Sequence, residues 1–338
     1  MAATIKDVAR EAGVAVCTVS FAMNGSAHVA EATKKRIFGA VERLNYRPNQ
    51  SARGLVTKKT NNIGLAVAET ADGLENGILL EVIQGLGRAA SHKNYDLLLS
   101  FQKQQTDKPD EHLLDVYRKQ SADGLILMGN KMSERPYKDL LTNRFPFVLL
   151  GRPYKDNLCH SVNADNEQGG YLAAQFLLKK GHRRIGFITP CSLEFDAAID
   201  RLNGYKRALT EFDIEVDEKL IALGSFEPDS GYQETETLLS LKDRPSAIIA
   251  GRDVIAARVN EKAVTLGYQV PDDLAIVGFD NTIVAQLARP GITSVELPML
   301  TMGHEAGKLL ISLIEGDIEY DAIQKISLPC GIFERDTT

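Results

Sequence analysis

Residues 4–20 read Thr-Ile-Lys-Asp-Val-Ala-Arg-Glu-Ala-Gly-Val-Ala-Val-Cys-Thr-Val-Ser, and that spacing leaves little choice of local fold. Ile5, Val8 and Ala9 fall at i, i+3 and i+4, the apolar stripe of a helix ending near Ala12. Thr4 is placed to cap it. Gly13 supplies the backbone freedom a sharp turn needs. A second helix is predicted from Val16 to Met23 or Asn24, with Val19 and Met23 inward and Val16, Cys17, Ser20 and Phe21 on the other side. Asn24-Gly25-Ser26 ends it. A third helix is expected over 32–45, with Ile37, Val41 and Leu44 as its core face and Lys34, Lys35 and Arg36 at its start. Two helices joined across a glycine turn can set the second in a DNA major groove.

Charge distribution supports a nucleic-acid partner. The first 60 residues carry ten basic and four acidic side chains, and the remaining 278 carry 29 and 41. The net charge of −6 therefore hides a basic head on an acidic body. A basic head attracts phosphates and releases their counterions without reading sequence. A charge run alone could also be a solvated face; the helix pattern decides between the two. The four cysteines are scattered without CxxC spacing and read as reduced thiols. Cys17 reads as a small hydrophobe ahead of a redox switch. No charged-then-apolar leader and no membrane-length apolar run are visible, so a cytoplasmic chain without membrane contact is expected.

At 338 residues, two or three domains are expected. From Asn62 onward, apolar runs such as Gly124–Met128, Phe147–Leu150 and Ala247–Ala250 alternate with amphipathic stretches such as Ile78–Ser91 and Val254–Leu266. Alternation of this kind implies parallel sheets flanked by helices, and the length implies two similar lobes. Gly85-Leu86-Gly87-Arg88-Ala89-Ala90 matches a dinucleotide fingerprint but falls inside a predicted helix, so helix packing is the better reading. No P-loop, HExxH or Cys-His cluster appears, so no cofactor, metal or enzymatic activity is expected.

Thr4-Ile5-Lys6-Asp7-Val8-Ala9, Ala12-Gly13-Val14, Thr18-Val19-Ser20, Asn24-Gly25 and Tyr46-Arg47-Pro48-Asn49 together resemble the lactose-repressor (LacI/GalR) family of bacterial transcription regulators. The resemblance implies an α/β chain. Its N-terminal helix-turn-helix head (1–47) is joined by a hinge helix and linker (48–61) to a two-lobed, periplasmic-binding-protein-like core of parallel sheets (62–338). One lobe would hold about 62–161 and 291–322, the other about 162–290 and 323–338, with passages near 161, 291 and 322.

By the same resemblance, Val16, Cys17 and Phe21 read bases, helped by the Thr18 and Ser20 hydroxyls. Thr4, Asn24, Lys34, Arg47 and Asn49 join the DNA contacts. Phe21 could instead pack on the third helix. None of the three base readers is a bidentate hydrogen-bonder, so apolar contact with thymine methyls is expected. Ala15 and Ala30 stand where the family commonly has serine caps, each worth about 1 kcal/mol. In the hinge, Leu55 would wedge into the minor groove, Ala52 would let paired hinges approach, and Arg53 would meet the groove or its phosphates. Alternatively, 48–62 is only a linker.

The resemblance also implies effector contacts from Arg201, Phe226 and Asp280, with Arg152 and Arg252 as further cations. Gly251-Arg252-Asp253 departs from the family's Ala-Asn-Asp. Three arginines near one aspartate favour an acidic or phosphorylated ligand, then a neutral sugar, since arginine suits bidentate carboxylate and phosphate recognition. The expected function is a homodimeric, operator-binding regulator, most simply a repressor, controlled by a sugar, sugar acid or sugar phosphate. A protein corepressor stays open, and no tetramer built on a C-terminal helix is expected. The rival reading is a cytoplasmic sugar-binding or sugar-active α/β protein without a regulatory role.

Overall fold

A computed structural model describes residues 3–23, 28–47, 59–67, 77–101, 114–128, 134–151, 158–193, 195–227 and 229–338. The chain divides into two compact units, 1–60 and 61–338.

The first unit is a three-helix cluster: α1 (Ile5–Ala12), α2 (Val16–Met23) and α3 (Glu31–Arg43). Thr4 and Asp7 form a capping box on α1, and Gly13 ends it in the left-handed conformation at φ 64°. Val8, Val19 and Ile37 are fully buried at the centre, ringed by Ala9, Ala12, Ala22, Val29 and Ala40. α3 stops two residues before the expected end, because Asn45 turns left-handed at φ 46°.

The second unit holds two six-stranded sheets. The first contains β1 (Asn62–Val67), β2 (Asp96–Phe101), β3 (Gly124–Met128), β4 (Phe147–Leu150), β5 (Ser161–Ala164) and β11 (Lys325–Leu328), in the order β11-β5-β4-β3-β1-β2. The second contains β6 (Ile185–Ile188), β7 (Ile221–Ala222), β8 (Ala247–Ala250), β9 (Ala275–Asp280), β10 (Thr293–Glu296) and β12 (Gly331–Phe333), in the order β12-β10-β9-β8-β6-β7. All pairings are parallel except β10 with β12.

Helices cover the sheets between strands: α4 (Ile78–His92), α5 (Asp115–Arg118), α6 (Glu134–Thr142), α7 (Asn166–Lys179), α8 (Asp196–Glu211), α9 (Tyr232–Leu239), α10 (Asp253–Thr265), α11 (Ile283–Leu287) and α12 (Met299–Glu315). The fingerprint-like glycines lie within α4, as the packing reading expects. A Cβ on Gly85 would sit 2.1 Å from the Leu300 carbonyl oxygen of α12.

The lobe passages differ from the expected positions. β5 and β11 belong to the first sheet, and β10 and β12 to the second, so the chain crosses at 165, 297–298 and 329–330 instead of near 161, 291 and 322. The physical reason is local. These four strands are three or four residues long, and β5, β10 and β11 carry polar side chains, so none makes an apolar run long enough to place a boundary. The carboxyl end of the chain is stitched into the second sheet. Thr337 accepts from Ile276 N at 2.8 Å through its carbonyl and donates its hydroxyl to the Ile276 carbonyl at 2.7 Å.

Candidate functional site

Two places carry chemistry, one in each unit. In the head, α2 has no charged residue along its length. Its inner face is Val19 and Ala22, both buried. Val16 is 41% and Phe21 56% exposed, and Cys17 is exposed with them. Phe21 therefore faces outward and does not pack into the head. Thr18 and Ser20 are half-buried at the edges of this face.

The head also presents cations. Lys35, Arg36 and Arg47 are exposed, while Lys34 is partly tied by an ion pair to Glu31 at 2.8 Å. An uncharged, largely apolar helix face can meet thymine methyls, while exposed cations of the same head can meet phosphates. Thr4 does structural work: it caps α1 through Asp7, whose carboxyl those hydrogen bonds hold below its ordinary range. Ala30 begins α3 without a side-chain cap. The expected contacts Asn24, Asn49, Ala52, Arg53 and Leu55, and with them the hinge, lie outside the described residues.

The second place is a cleft between the two lobes of the core. Arg201 rises from α8, 6% exposed. Its Nε donates to Asn166 Oδ1 at 2.9 Å, its Nη1 to the Gly251 carbonyl, and its Nη2 lies 3.5 Å from Asp280 Oδ1. Its guanidinium also stacks 4.1 Å from the Phe279 ring centroid. α7 and α8 can hold this arrangement because they meet through glycines. A Cβ on Gly170 would lie 2.0 Å from the Arg201 carbonyl oxygen, and one on Gly204 1.9 Å from that of Glu167.

Arg252 stands at the start of α10. Its Nη2 donates to the Ser225 carbonyl and its guanidinium lies 5.0 Å from the Phe226 ring centroid. Phe226 meets Phe195 edge-to-face at 5.5 Å.

Asp280 ends β9 in a left-handed conformation, φ 101°, that side chains rarely adopt. Its buried neighbour Asp253 accepts from Thr282 N at 2.6 Å, from Thr282 Oγ1 at 2.9 Å and from Ser294 Oγ. Burial raises both carboxyls. The Asp280 charge raises Asp253 further, while Arg201 and Arg252 hold Asp280 back. Cys191 also lines the cleft, and burial pushes its thiol up to about 11, so it is neutral.

Arg201, Phe226, Arg252 and Asp280, expected from the sequence, surround one cavity of about 200 Å³. Ile78, Gly151, Leu297 and Met299 close it from the other side. Arg152 lies outside the described residues. Sequence reasoning missed Asn166, Phe195 and Asp253. Asn166 had a visible signal, its place just after the capping Asp165, but its contact with Arg201 crosses 35 residues. Among the described residues no group of three or more His, Cys, Asp or Glu could hold a metal, and no helix is long and apolar enough to cross a membrane.

Residues 4–49 match the family profile described as bacterial regulatory proteins, lacI family, and residues 174–338 match a periplasmic binding protein-like domain. Catabolite control protein A of Priestia megaterium is 36% identical over 338 residues, covering 100% of both chains. The HTH-type transcriptional repressor PurR of Mannheimia succiniciproducens is 32% identical, covering 92% of both. Among solved structures, a transcriptional regulator CelR–cellobiose complex superposes with a TM-score of 0.76 at 30% identity, covering 99% of this chain and 100% of that one.

Proposed function

We propose, from the premise that this chain belongs to the LacI family and is a DNA-binding transcription regulator, that it is a homodimeric repressor controlled by a small hydroxyl-rich effector. Each head takes one half of a near-palindromic operator. The effector enters the cleft between the lobes, changes their relative angle, and so changes DNA affinity. The relative named a transcriptional repressor supports repression, and the cellobiose-bound neighbour supports a sugar. The operator is reached in the cytoplasm, and the chain acts as a regulator, not an enzyme.

The observation that carries this reading is a single chain holding both an outward apolar recognition face on α2 and a buried Arg201–Asp280 pair at an interlobe cavity. Val16, Cys17 and Phe21 contact bases, with Thr18 and Ser20 beside them. Thr4, Lys34, Arg47, Asn24 and Asn49 position the head on phosphates. Ala52, Arg53 and Leu55 act in the minor groove. Leu99 and Phe101, 41% and 42% exposed on the edge strand β2, are fitted to be covered by a second copy.

The cleft geometry supports a neutral effector ahead of an acidic one. Arg201 already faces Asp280, Asn166 and a carbonyl, and Asp196 adds another carboxylate to the wall beside Asp280. The two guanidiniums are thus balanced by carboxylates, and a neutral polyol fits better than a phosphate.

The test is a gel shift with duplex from upstream of the chain's own gene, against random duplex, with and without a sugar panel. Specific, salt-sensitive binding altered by one sugar is expected. Binding indifferent to sequence would overturn the proposal.

A further inference from the structure

We propose that the effector cleft continues into a second chamber, and that the effector is a two-unit polyol of disaccharide size whose far unit is held by hydrogen-bond acceptors. This rests on the reading that a polyol occupies the Arg201 chamber.

The second chamber is a cavity of about 270 Å³ that shares Gly151 and Ala197 with the first. The first, at about 200 Å³, is small for a ligand pocket. Ordinary small-molecule pockets run from about 300 to 1,000 Å³, so the two chambers fall in that range only when taken together. Two features lie between them. One is the Ala197 methyl, in the first turn of α8. The other is the hydrogen bond between Asn166, which lines the second chamber, and Arg201, which lines the first.

The walls of the second chamber define the far unit. Ser161 and Asn163 come from β5, Ser327 from β11, and Asp165, Glu167 and Asp200 from α7, its cap and α8. Burial, then the charges of Asp196, Glu167 and Asp165, raise the Asp200 carboxyl, while Arg201 acts the other way. Glu167 pairs with Arg207, and Asp165 Oδ1 accepts from Gln168 N at 2.9 Å. Among the described residues of this wall, Lys325 is the one basic side chain, against three carboxylates. Such a wall accepts from hydroxyl or amino groups and repels carboxylate and phosphate.

Position gives the chamber a regulatory use. β5 and β11 lead directly into the lobe passages at 165 and 329–330. A ligand can shift a conformational equilibrium only through contacts that differ between its states. A unit held against these strands touches the segments whose geometry must change when the lobes move.

The test uses the full-length protein and calorimetric titration with cellobiose, maltose, lactose and sucrose, their component monosaccharides, and glucose 6-phosphate. One neutral disaccharide should bind about tenfold or more tighter than either of its halves, the equivalent of about 1.4 kcal/mol. Ala197→Phe, which fills the wall common to both chambers, should weaken the disaccharide about tenfold more than it weakens the monosaccharides, so that the disaccharide loses its advantage over its halves. Asp200→Asn, which removes one acceptor charge, should weaken the disaccharide selectively too, and it serves if Ala197→Phe does not fold. Monosaccharides binding as tightly as the disaccharide, a disaccharide indifferent to both variants, or glucose 6-phosphate binding tightest would overturn the second chamber. The first two results would leave the polyol reading of the cleft standing. No binding of any sugar would overturn both.

Discussion

In the head, ion pairs lie in solvent: Arg10 and Asp7 stand 3.4 Å apart with side chains 81% and 37% exposed. In the second lobe, Arg201 and Asp280 stand 3.5 Å apart with side chains 7% and 5% exposed. The separations are alike and the consequences are not. The exposed pair is screened by water and salt and contributes little. The buried pair is locked by Asn166, the Gly251 carbonyl and the Phe279 ring, and neither partner can be removed without stranding the other. The head is held with less: α3 begins without a side-chain cap, and Val16, Cys17 and Phe21 lie exposed on α2. The cleft is set in advance, its polar groups already aimed.

The largest test of this contrast removes one carboxylate from each region. Asp280→Ala should cost about 3 kcal/mol or more in denaturant unfolding of the core, because Arg201 is left buried and unpaired. Glu11→Ala, which breaks the exposed pair with Arg43, should cost about 0.5 kcal/mol or less. Equal costs would erase the distinction.

Next in size, Phe21→Ala should weaken operator binding about tenfold, through lost apolar contact, with no loss of head stability, since the ring is not in the core. A fall in head melting temperature with unchanged DNA affinity would put Phe21 in the wrong role.

A smaller change adds what the head lacks. Ala15→Ser with Ala30→Ser should stabilise it by about 1 kcal/mol per cap, read as a higher melting temperature. Ala15 already accepts from Thr18 N and Val19 N through its carbonyl, so only the side chain is missing.

The smallest effect is a difference of sign with pH. Burial raises the folded Asp253 and Asp280 carboxyls above their ordinary 3.8, Asp253 the more, to about 7. Their proton-linked stability is full below that ordinary value and is lost as pH rises through the raised ones. Core melting temperature should therefore fall between pH 5 and pH 8, and less so in Asp253→Asn. Asp7 in the head is held below its ordinary value by Thr4, so its contribution is present above that value and lost as pH falls through the depressed one. Parallel pH responses from head and core would contradict this assignment.

How much of this could be read without coordinates depended on whether a residue's role was local. The helices of the head were legible because periodicity, the Thr4 cap and the Gly13 turn all act within a few residues. β3, β4 and β8 were legible as apolar runs buried on both faces. β5, β10, β11 and β12 were not, because strands this short are defined by partners far along the chain, such as Lys325 opposite Ser161. Arg201, Phe226, Arg252 and Asp280, expected from strand and helix ends and family resemblance, line one cavity. Asn166 and Phe195 were missed because the first acts only through the close meeting of α7 and α8, and the second only through the ring of Phe226. The count of arginines behind the anionic expectation does not show which acceptors already hold them, as Asn166, the Gly251 carbonyl and Asp280 hold Arg201.

The central claim is that the cleft governs the head, and operator titration by fluorescence anisotropy tests it most directly. Wild-type and Asp280→Asn full-length proteins are compared, each with and without the sugar that binds the wild type. The account predicts that the sugar changes operator affinity of the wild type about tenfold, within the usual range of coupling energies. It also predicts that Asp280→Asn keeps salt-sensitive operator binding but ignores the sugar. A wild type whose operator affinity does not move with a sugar it demonstrably binds would contradict it.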